Sequence, residues 1–480
     1  MATRRAIIVG SGPNGLAAAV TLARAGLEVT VRERSATVGG GTATHELTLP
    51  GFAHDVCSAV HPMAAASDFF TRFGLAQRLE LLTPEVSYAQ PLAPGRSALA
   101  YRSLGRTVEG LGVDGAAWQR IFAPLVERVG ELTAIAGSPV LPPRHLATLI
   151  TLGMRLLEQG RPGWNLGFRG EEAPALLTGV MAHAIRPLPS LGAAAPGLVL
   201  ATLAHTVGWP VVRGGSGRIA DALAADLVAH GGRIETDAEV TSLDEVRADV
   251  VMLDVSPRGL LGLAGDRLPG GYARMLRRFR YGDGVAKVDL ALDGPVPWAD
   301  PLLAEVPTLH LGGTRAEVAR GEAQVAAGRH PDHPYVLVSQ PSVIDPTRAP
   351  EGQQVLWTYT HVPHGSNLDR ADAVLDELER FAPGVRDRVL AVSSRTALEV
   401  ERHDINDVGG DIAAGATSFG QLVARPRLSP TPWRTPLPGV WLCSASTAPG
   451  PGVHGQAGWL AARAALRELR VPVPELAPGA

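Results

Sequence analysis

The sequence predicts an α/β protein: a Rossmann-like domain assembled from discontinuous segments, joined to an α+β second domain. Three observations predict it. Near the head, the apolar run Ala6-Ile7-Ile8-Val9 leads straight into Gly10-Ser11-Gly12-Pro13-Asn14-Gly15. Near the tail, Gly439 to Ala445 is a second short apolar run, opening into Gly450-Pro451-Gly452-Val453-His454-Gly455. Between them a third glycine-punctuated unit starts at Gly208 and closes on the apolar run Asp249 to Leu253.

Each head element follows from its residues. Residues 6–9 suit a parallel strand buried on both faces. Gly10 permits the tight strand-to-helix turn, Gly12 lets backbone approach a diphosphate, and Gly15 lets the helix pack closely on the strand. The helix reads from Pro13 to about Ala25, with Leu16, Ala19, Val20 and Ala23 at helical spacing and Gly26 as its stop. Its free amides and positive dipole end suit a diphosphate. Val29-Thr30-Val31 is the next strand, and Glu33 at its end is placed to accept from ribose hydroxyls. Taken alone, this head suits NAD and FAD equally; paired with the tail it reads as an FAD site.

Gly110-Leu111-Gly112-Val113-Asp114-Gly115 fits the same glycine pattern but lacks its context. No buried strand precedes it and no acid follows at the required distance, so Asp114 is read as the N-cap of a helix carrying Trp118, Phe122, Leu125 and Val129.

At 480 residues the chain has room for two or three domains. Charged residues make up 19%, below the roughly 25% of ordinary soluble domains. The net charge of −3, without a Lys/Arg run, excludes a nucleic-acid footprint. The two cysteines, Cys57 and Cys443, form no CxxC, so a flavin–dithiol mechanism has no dithiol and a disulfide framework is excluded. Both read as small buried hydrophobes. Signal-peptide cleavage would destroy the glycine turn, and no apolar stretch is long enough to span a bilayer. A cytoplasmic protein is expected, with peripheral membrane contact left open and the oligomeric state unread.

The FAD-binding domain is expected from residues 1–60, 208–262 and 436–473. Its middle piece holds a helix with Ile219, Leu223 and Leu227, then short strands at 233–235, 239–243 and 249–253. The substrate domain takes residues 61–207 and 263–435. Its first insertion reads as mostly helical and strongly apolar. The second reads as strands near Val285 to Leu292, Tyr335 to Ser339 and Val355 to Tyr359, followed by an amphipathic helix from Ala371 to Phe381.

On these residues the chain resembles the phytoene desaturase-like FAD oxidoreductases, within the amine-oxidase-type flavoprotein fold. The resembling stretches are the head turn, Gly51-Phe52 with Asp55, Trp209-Pro210 with Gly214-Gly215, Lys287-Val288-Asp289, His361-Val362-Pro363, and the tail from Pro449 to Ala465. The chain departs from that family at Ser444, where a Gly is usual, and at Ala457-Gly458, where Ser-Gly is usual. The resemblance implies that a helix starting near Gly455 aims its amides at the flavin pyrimidine edge, with Gly450 and Gly452 close to the ring. It also implies Val240 beside the adenine and Gly40 and Gly41 beside the diphosphate or ring. The set expected at the cofactor is Gly10, Gly12, Pro13, Asn14, Gly15, Glu33, Arg34, Gly40, Gly41, Val240, Ser444, Gly452, Val453, His454 and Gly455.

A flavin accepts the hydride itself, so no strong acid–base constellation is required, and no metal-ligand spacing is present. His454 and His361 are the candidates for catalytic contact, His454 with helix capping as its alternative. His183 and His205 read as core histidines. Ser216 lacks the GxSxG setting of a nucleophile and reads as a loop residue near the flavin. The expected activity is dehydrogenation of an apolar, polyene or isoprenoid-like substrate, with dioxygen, a quinone or NAD(P) as electron acceptor. A saturase, an isomerase or an amine or small-metabolite oxidase on the same fold is the alternative. A non-enzymatic prenyl carrier is the alternative of another class, and the intact diphosphate glycines argue against it.

Overall fold

The computed structural model describes residues 4–479, and two sheets organise them. In the first, the strand Arg5–Val9 lies between Val250–Leu253 and Glu28–Arg32, with Val440–Leu442 and Arg233–Glu235 at the edges. Every pair in it is parallel. Head, middle and tail segments therefore share one sheet, and the central strand is an apolar run because helices cover both faces.

Two of those helices are decisive. Pro13–Arg24 is buried along nearly its whole length, from Asn14 to Ala23. The tail helix Gln456–Glu468 crosses it so closely that a Cβ on Gly458 would sit 1.7 Å from the Asn14 carbonyl oxygen. Head and tail are thus locked by backbone-to-backbone approach. Gly217–Ala229 packs on the other flank through Ile219, Leu223 and Leu227.

The second sheet has seven strands in the order Val389–Arg395, Gly284–Leu292, Gln354–Val362, Val336–Ser339, Thr308–Leu311, Val86–Ala93 and Arg96–Tyr101. Its faces differ. One carries Val288, Leu290, Leu309, Val338 and Leu356 against the helix Ala371–Phe381. The other presents Val285, Lys287 and Asp289, registered opposite His361, Tyr359 and Trp357, and continues through Tyr335, His310 and Tyr88. Period-two alternation sorts these residues. The helices Glu172–Ala182 and Leu191–Ala204 cover this second face with Leu176, Val180, Met181, Leu198 and Leu203.

Four expectations change. The first insertion is helical over much of its length, yet Val86–Ala93 and Arg96–Tyr101 form a hairpin that joins the second sheet. Residues 239–242 are not a strand: Glu245 Oε1 accepts from the Thr241 and Ser242 amides and closes a capping box on a 3-10 turn at Leu243–Glu245. Such local bonds compete with a ladder. Asp114 stands at the N-cap of Gly115–Val126, but its carboxylate accepts from the Arg169 and Gly170 amides at 2.7 and 2.8 Å rather than from its own helix. Gly284–Leu292, whose period-two alternation reads as a half-buried strand, is buried at every position because both faces of this sheet are covered.

Candidate active site

The head turn forms a cradle whose donors are divided between the protein and free space. Gly10 adopts φ +98°, as the turn requires. Glu33 is buried, and its carboxylate accepts from the Ser11 amide at 2.9 Å, the Ser11 hydroxyl at 2.7 Å and the Ser35 amide at 2.8 Å. Its foremost task is therefore to hold the turn, with lone-pair capacity left on Oε1. Gly40 closes over the turn, a Cβ there lying 3.2 Å from Gly12 Cα. The amides of Gly12, Asn14, Gly40 and Gly41 are not spent on other groups among the described residues. Four unspent donors around a helix N-terminus suit a diphosphate.

Asp254 is an unforeseen member of this cradle. It follows the strand Val250–Leu253, and its Oδ2 accepts from the Gly15 amide at 2.8 Å. The space a Gly12 Cβ would fill is taken by this carboxylate, 2.7 Å away, so Gly12 is glycine for Asp254 as well as for the ligand. Burial, then the neighbouring carboxylates Asp404 and Glu33, lift Asp254 to about 7 against the Gly15 bond.

On the second sheet, Lys287 is buried and paired with Asp289, and its Nζ lies 5.1 Å from the Trp357 ring centroid. Burial lowers Lys287 and raises Asp289 to about 6, which weakens the lysine's hold on its proton. His54 stands 3.7 Å from Asp289 and is held neutral, its pKa lowered to about 3 by burial and then by Lys287 and Arg348. Lys287, Val285 and Tyr359 line a cavity with Gly41, Cys57, Arg395, His403, Asp404 and Asp407; its empty space is about 430 Å³, part of it open to solvent. Burial pushes the Cys57 thiol to about 12, so it is no nucleophile. Sequence reasoning quoted Lys287 only within a resembling stretch, though a signal for it was available: it is the only lysine in the chain. In a chain that otherwise uses arginine, one retained lysine marks a place for a compact, titratable ammonium.

Asp55 ties three separate segments together. Its carboxylate accepts from the Ser216 amide at 2.7 Å, the Thr44 hydroxyl at 2.8 Å and the buried Arg348 guanidinium at 2.7 Å. Ser216 is thereby fixed in the core, bonded also to His61.

The remaining predicted residues separate by what their polar atoms do. His454 accepts from the Gln456 amide at Nδ1 and donates to the Gly450 carbonyl from Nε2, so both ring nitrogens serve the tail loop and the start of its helix. Its pKa falls to about 4 through burial. His361 differs: Nδ1 meets Glu322 Oε1 at 2.6 Å, the ring stacks on Tyr335 at 4.8 Å, and Nε2 is buried without a partner among the described residues. His205 is a satisfied core histidine between Trp118 and the Tyr101 carbonyl. His183 shares a 2.9 Å hydrogen bond with His310. Arg34 donates to the Arg402 and His403 carbonyls, and Ser444 to the Val255 carbonyl. Val240 packs in the cluster beneath the sheet's carboxyl end, with Val9, Leu253 and Val255. Pro13 opens the first helix, and Gly455, with φ +66°, caps the last one against Phe69 and Ala17. Gly452 and Val453 lie on the tail loop, where a Gly452 Cβ would approach Met63 and His454.

A family model described as flavin-containing amine oxidoreductase matches residues 14–466. The chain belongs to this family. The donor set of the cradle fits the FAD that the family implies, and the protein is an FAD-dependent oxidoreductase of amine-oxidase-type fold. The rat pyridine nucleotide-disulfide oxidoreductase domain-containing protein 2 is 29% identical over 97% of this chain and 94% of its own. A 4,4'-diapolycopen-4-al dehydrogenase of Metabacillus indicus is 33% identical over 26% of each chain. Among solved structures, a putrescine oxidase variant superposes with a TM-score of 0.63 at 18% identity, covering 98% of this chain and 99% of its own; that likeness concerns the fold.

Proposed function

We propose that the chain is a dehydrogenase of the phytoene desaturase-like branch, taking a hydride from an apolar, polyene or isoprenoid-like substrate. In this reading the segments 1–60, 208–262 and 436–473 form the FAD-binding domain, and 61–207 and 263–435 form the substrate domain. The observation that carries it is the sheet face around Lys287. There the only lysine of the chain stands over Trp357 and beside Tyr359, and apolar helices shield the same face from water. FAD, when bound, supplies the hydride acceptor. Gly12, Asn14, Gly40 and Gly41 would hold its diphosphate through their amides. Lys287 holds or releases a proton at Nζ, with Asp289 as the counter-charge that keeps the ammonium oriented. Glu322 fixes the His361 ring so that Nε2 is free toward the same side of the sheet, which supports a substrate-positioning role for His361. His454 keeps the tail loop in shape. The partial likeness to a diapolycopenal dehydrogenase supports a polyene, and the absence of a cysteine pair is inconsistent with dithiol chemistry. Dioxygen, a quinone or NAD(P)⁺ serves as the final acceptor.

A second reading, an amine oxidase, has one specific support: Asp404 lines the cavity of Lys287 and would attract a cation. Anaerobic mixing of the FAD-loaded protein with a polyene aldehyde or alcohol, and separately with a primary amine, distinguishes them. Bleaching of the flavin's visible bands by the polyene is expected. Bleaching by the amine alone would replace the first reading with the second.

A further inference from the structure

The helix Leu146–Gln159 has two apolar faces, and only one is covered. Thr148, Leu152, Leu156 and Gln159 are buried against the rest of the fold. Leu146, Ile150, Met154 and Leu157 form the opposite stripe and are 61%, 63%, 54% and 47% exposed. Spacings of four, four and three residues put them on one side of a helix. Leu166, on the loop that follows, is 92% exposed. A monomer that leaves such a patch open is equipped to place it against something apolar.

Charge and continuity identify what that is. Arg144 precedes the stripe and Arg161 follows it, both exposed and without an ion pair among the described residues. Of the acids near the stripe, Glu158 pairs with Arg120 and Arg155, and Glu131 accepts from the Thr148 hydroxyl with His145 4.0 Å away. Arg144 also belongs to a gathering of arginines with Arg72, Arg463 and Arg467. Burial and then the like charges of Arg467, Arg72 and Arg144 hold Arg463 below the usual guanidinium value, while Asp68, which pairs with Arg72 at 2.9 Å, opposes them. Beside this gathering opens a second cavity, lined by Met63, Ser67, Gly137, Leu203, His454 and Gln456, among others. It runs from the helix Val129–Ala136, which packs on Leu146–Gln159, inward to the tail loop.

We infer that this face docks on an anionic phospholipid bilayer, with the Leu146–Leu157 stripe seated among acyl chains and the flanking Arg144 and Arg161 on headgroup phosphates. The docking stands on exposure and charge and is independent of the substrate reading. Among the described residues no helix is long and apolar enough to cross a membrane, and the proposed contact is with one leaflet.

The test is co-sedimentation of the FAD-loaded chain with phosphatidylcholine vesicles containing about a quarter phosphatidylglycerol, at low and high salt. Binding is expected, weakened by salt and by omission of the anionic lipid. The double substitution Ile150→Ser with Met154→Ser should lower the partition coefficient at least about tenfold, since each loses apolar area from the acyl region. Arg144→Glu should remove most of the salt dependence. Both variants change exposed side chains, so flavin absorbance and circular dichroism should match the parent. Binding that is absent, or indifferent to the stripe variant, overturns the inference. So does light scattering that shows a dimer of the parent which the stripe variant dissolves, because the stripe would then cover a second copy. Neither failure alters flavin bleaching by a substrate added in detergent, which tests the substrate reading separately.

Discussion

Asp254→Asn gives the sharpest prediction, because the chain has set a second carboxylate inside an anion cradle. Asp254 is raised from its ordinary 3.8 to about 7 in the folded protein. A group with that shift is protonated in both states at low pH and costs nothing there. As pH rises from about 4 to about 7, the unfolded chain gives up the proton while the folded one retains it, so stability falls. Above about 7 the cost is complete, on the order of 4 kcal/mol for a shift of roughly three units at 1.36 kcal/mol each. Asparagine retains an acceptor for the Gly15 amide and carries no charge. It gives back about 1–2 kcal/mol by losing a charge-assisted hydrogen bond. Asp254→Asn should therefore match or fall below the parent near pH 4 and exceed it by about 2 kcal/mol near pH 8. Urea midpoints of the two apoproteins across that range measure this directly. The FAD dissociation constant near pH 8 should fall in the variant, since one negative charge leaves the neighbourhood of the diphosphate amides. A variant-minus-parent difference that is flat with pH, or that grows toward acid, would refute the reasoning.

Three further expectations follow from the same geometry. Glu33→Ala strands the Ser11 amide and hydroxyl and the Ser35 amide, at about 1–3 kcal/mol for each buried donor left unpaired; calorimetry should show a less stable apoprotein as well as weaker FAD binding, and an unaffected apoprotein would mean that Glu33 acts on the ribose alone. Gly458→Ala drives a methyl into the Asn14 carbonyl, so the tail helix must shift at a cost of about 1–3 kcal/mol or more, read as a lower thermal midpoint with FAD retention reduced in parallel. Lys287→Met and Lys287→Arg should both slow flavin reduction by about 10²–10⁴-fold with FAD content preserved, seen by anaerobic stopped-flow; rescue by arginine would show that charge alone suffices.

What the sequence disclosed was local. Strand, glycine turn and helix lie within twenty residues at the head, and a comparable unit lies at the tail, so each could be read from its own spacing. The direct contact between them could not: Gly458 against Asn14 is a tertiary fact. Glu33 was found by its distance from the turn, but its bonds to Ser11 and Ser35 show it serving the loop first. Asp254 ends an apolar run and looks like any strand terminus until parallel pairing sets it beside Gly12 and Gly15. The hairpin at 86–101 was hidden by Pro91, which a strand interior rarely tolerates, and the ladder accommodates it with a register shift beside that residue. Lys287 needed only a count of lysines, while its partners Asp289, Trp357 and Tyr359 required the register of two strands some seventy residues apart.

That solitary lysine also offers the most direct measurement. An amine-reactive reagent can modify only Lys287 and the N-terminal amine, so mass spectrometry reads the Lys287 cavity without ambiguity. If FAD spans from the head cradle to the sheet face, saturating FAD should slow labelling of Lys287 at least about tenfold while NAD⁺ leaves it unchanged, since added cover blocks the reagent's access by more than the extra desolvation raises the neutral amine fraction. Equal labelling with and without FAD, in protein shown to retain the flavin, would mean that the cofactor does not reach Lys287.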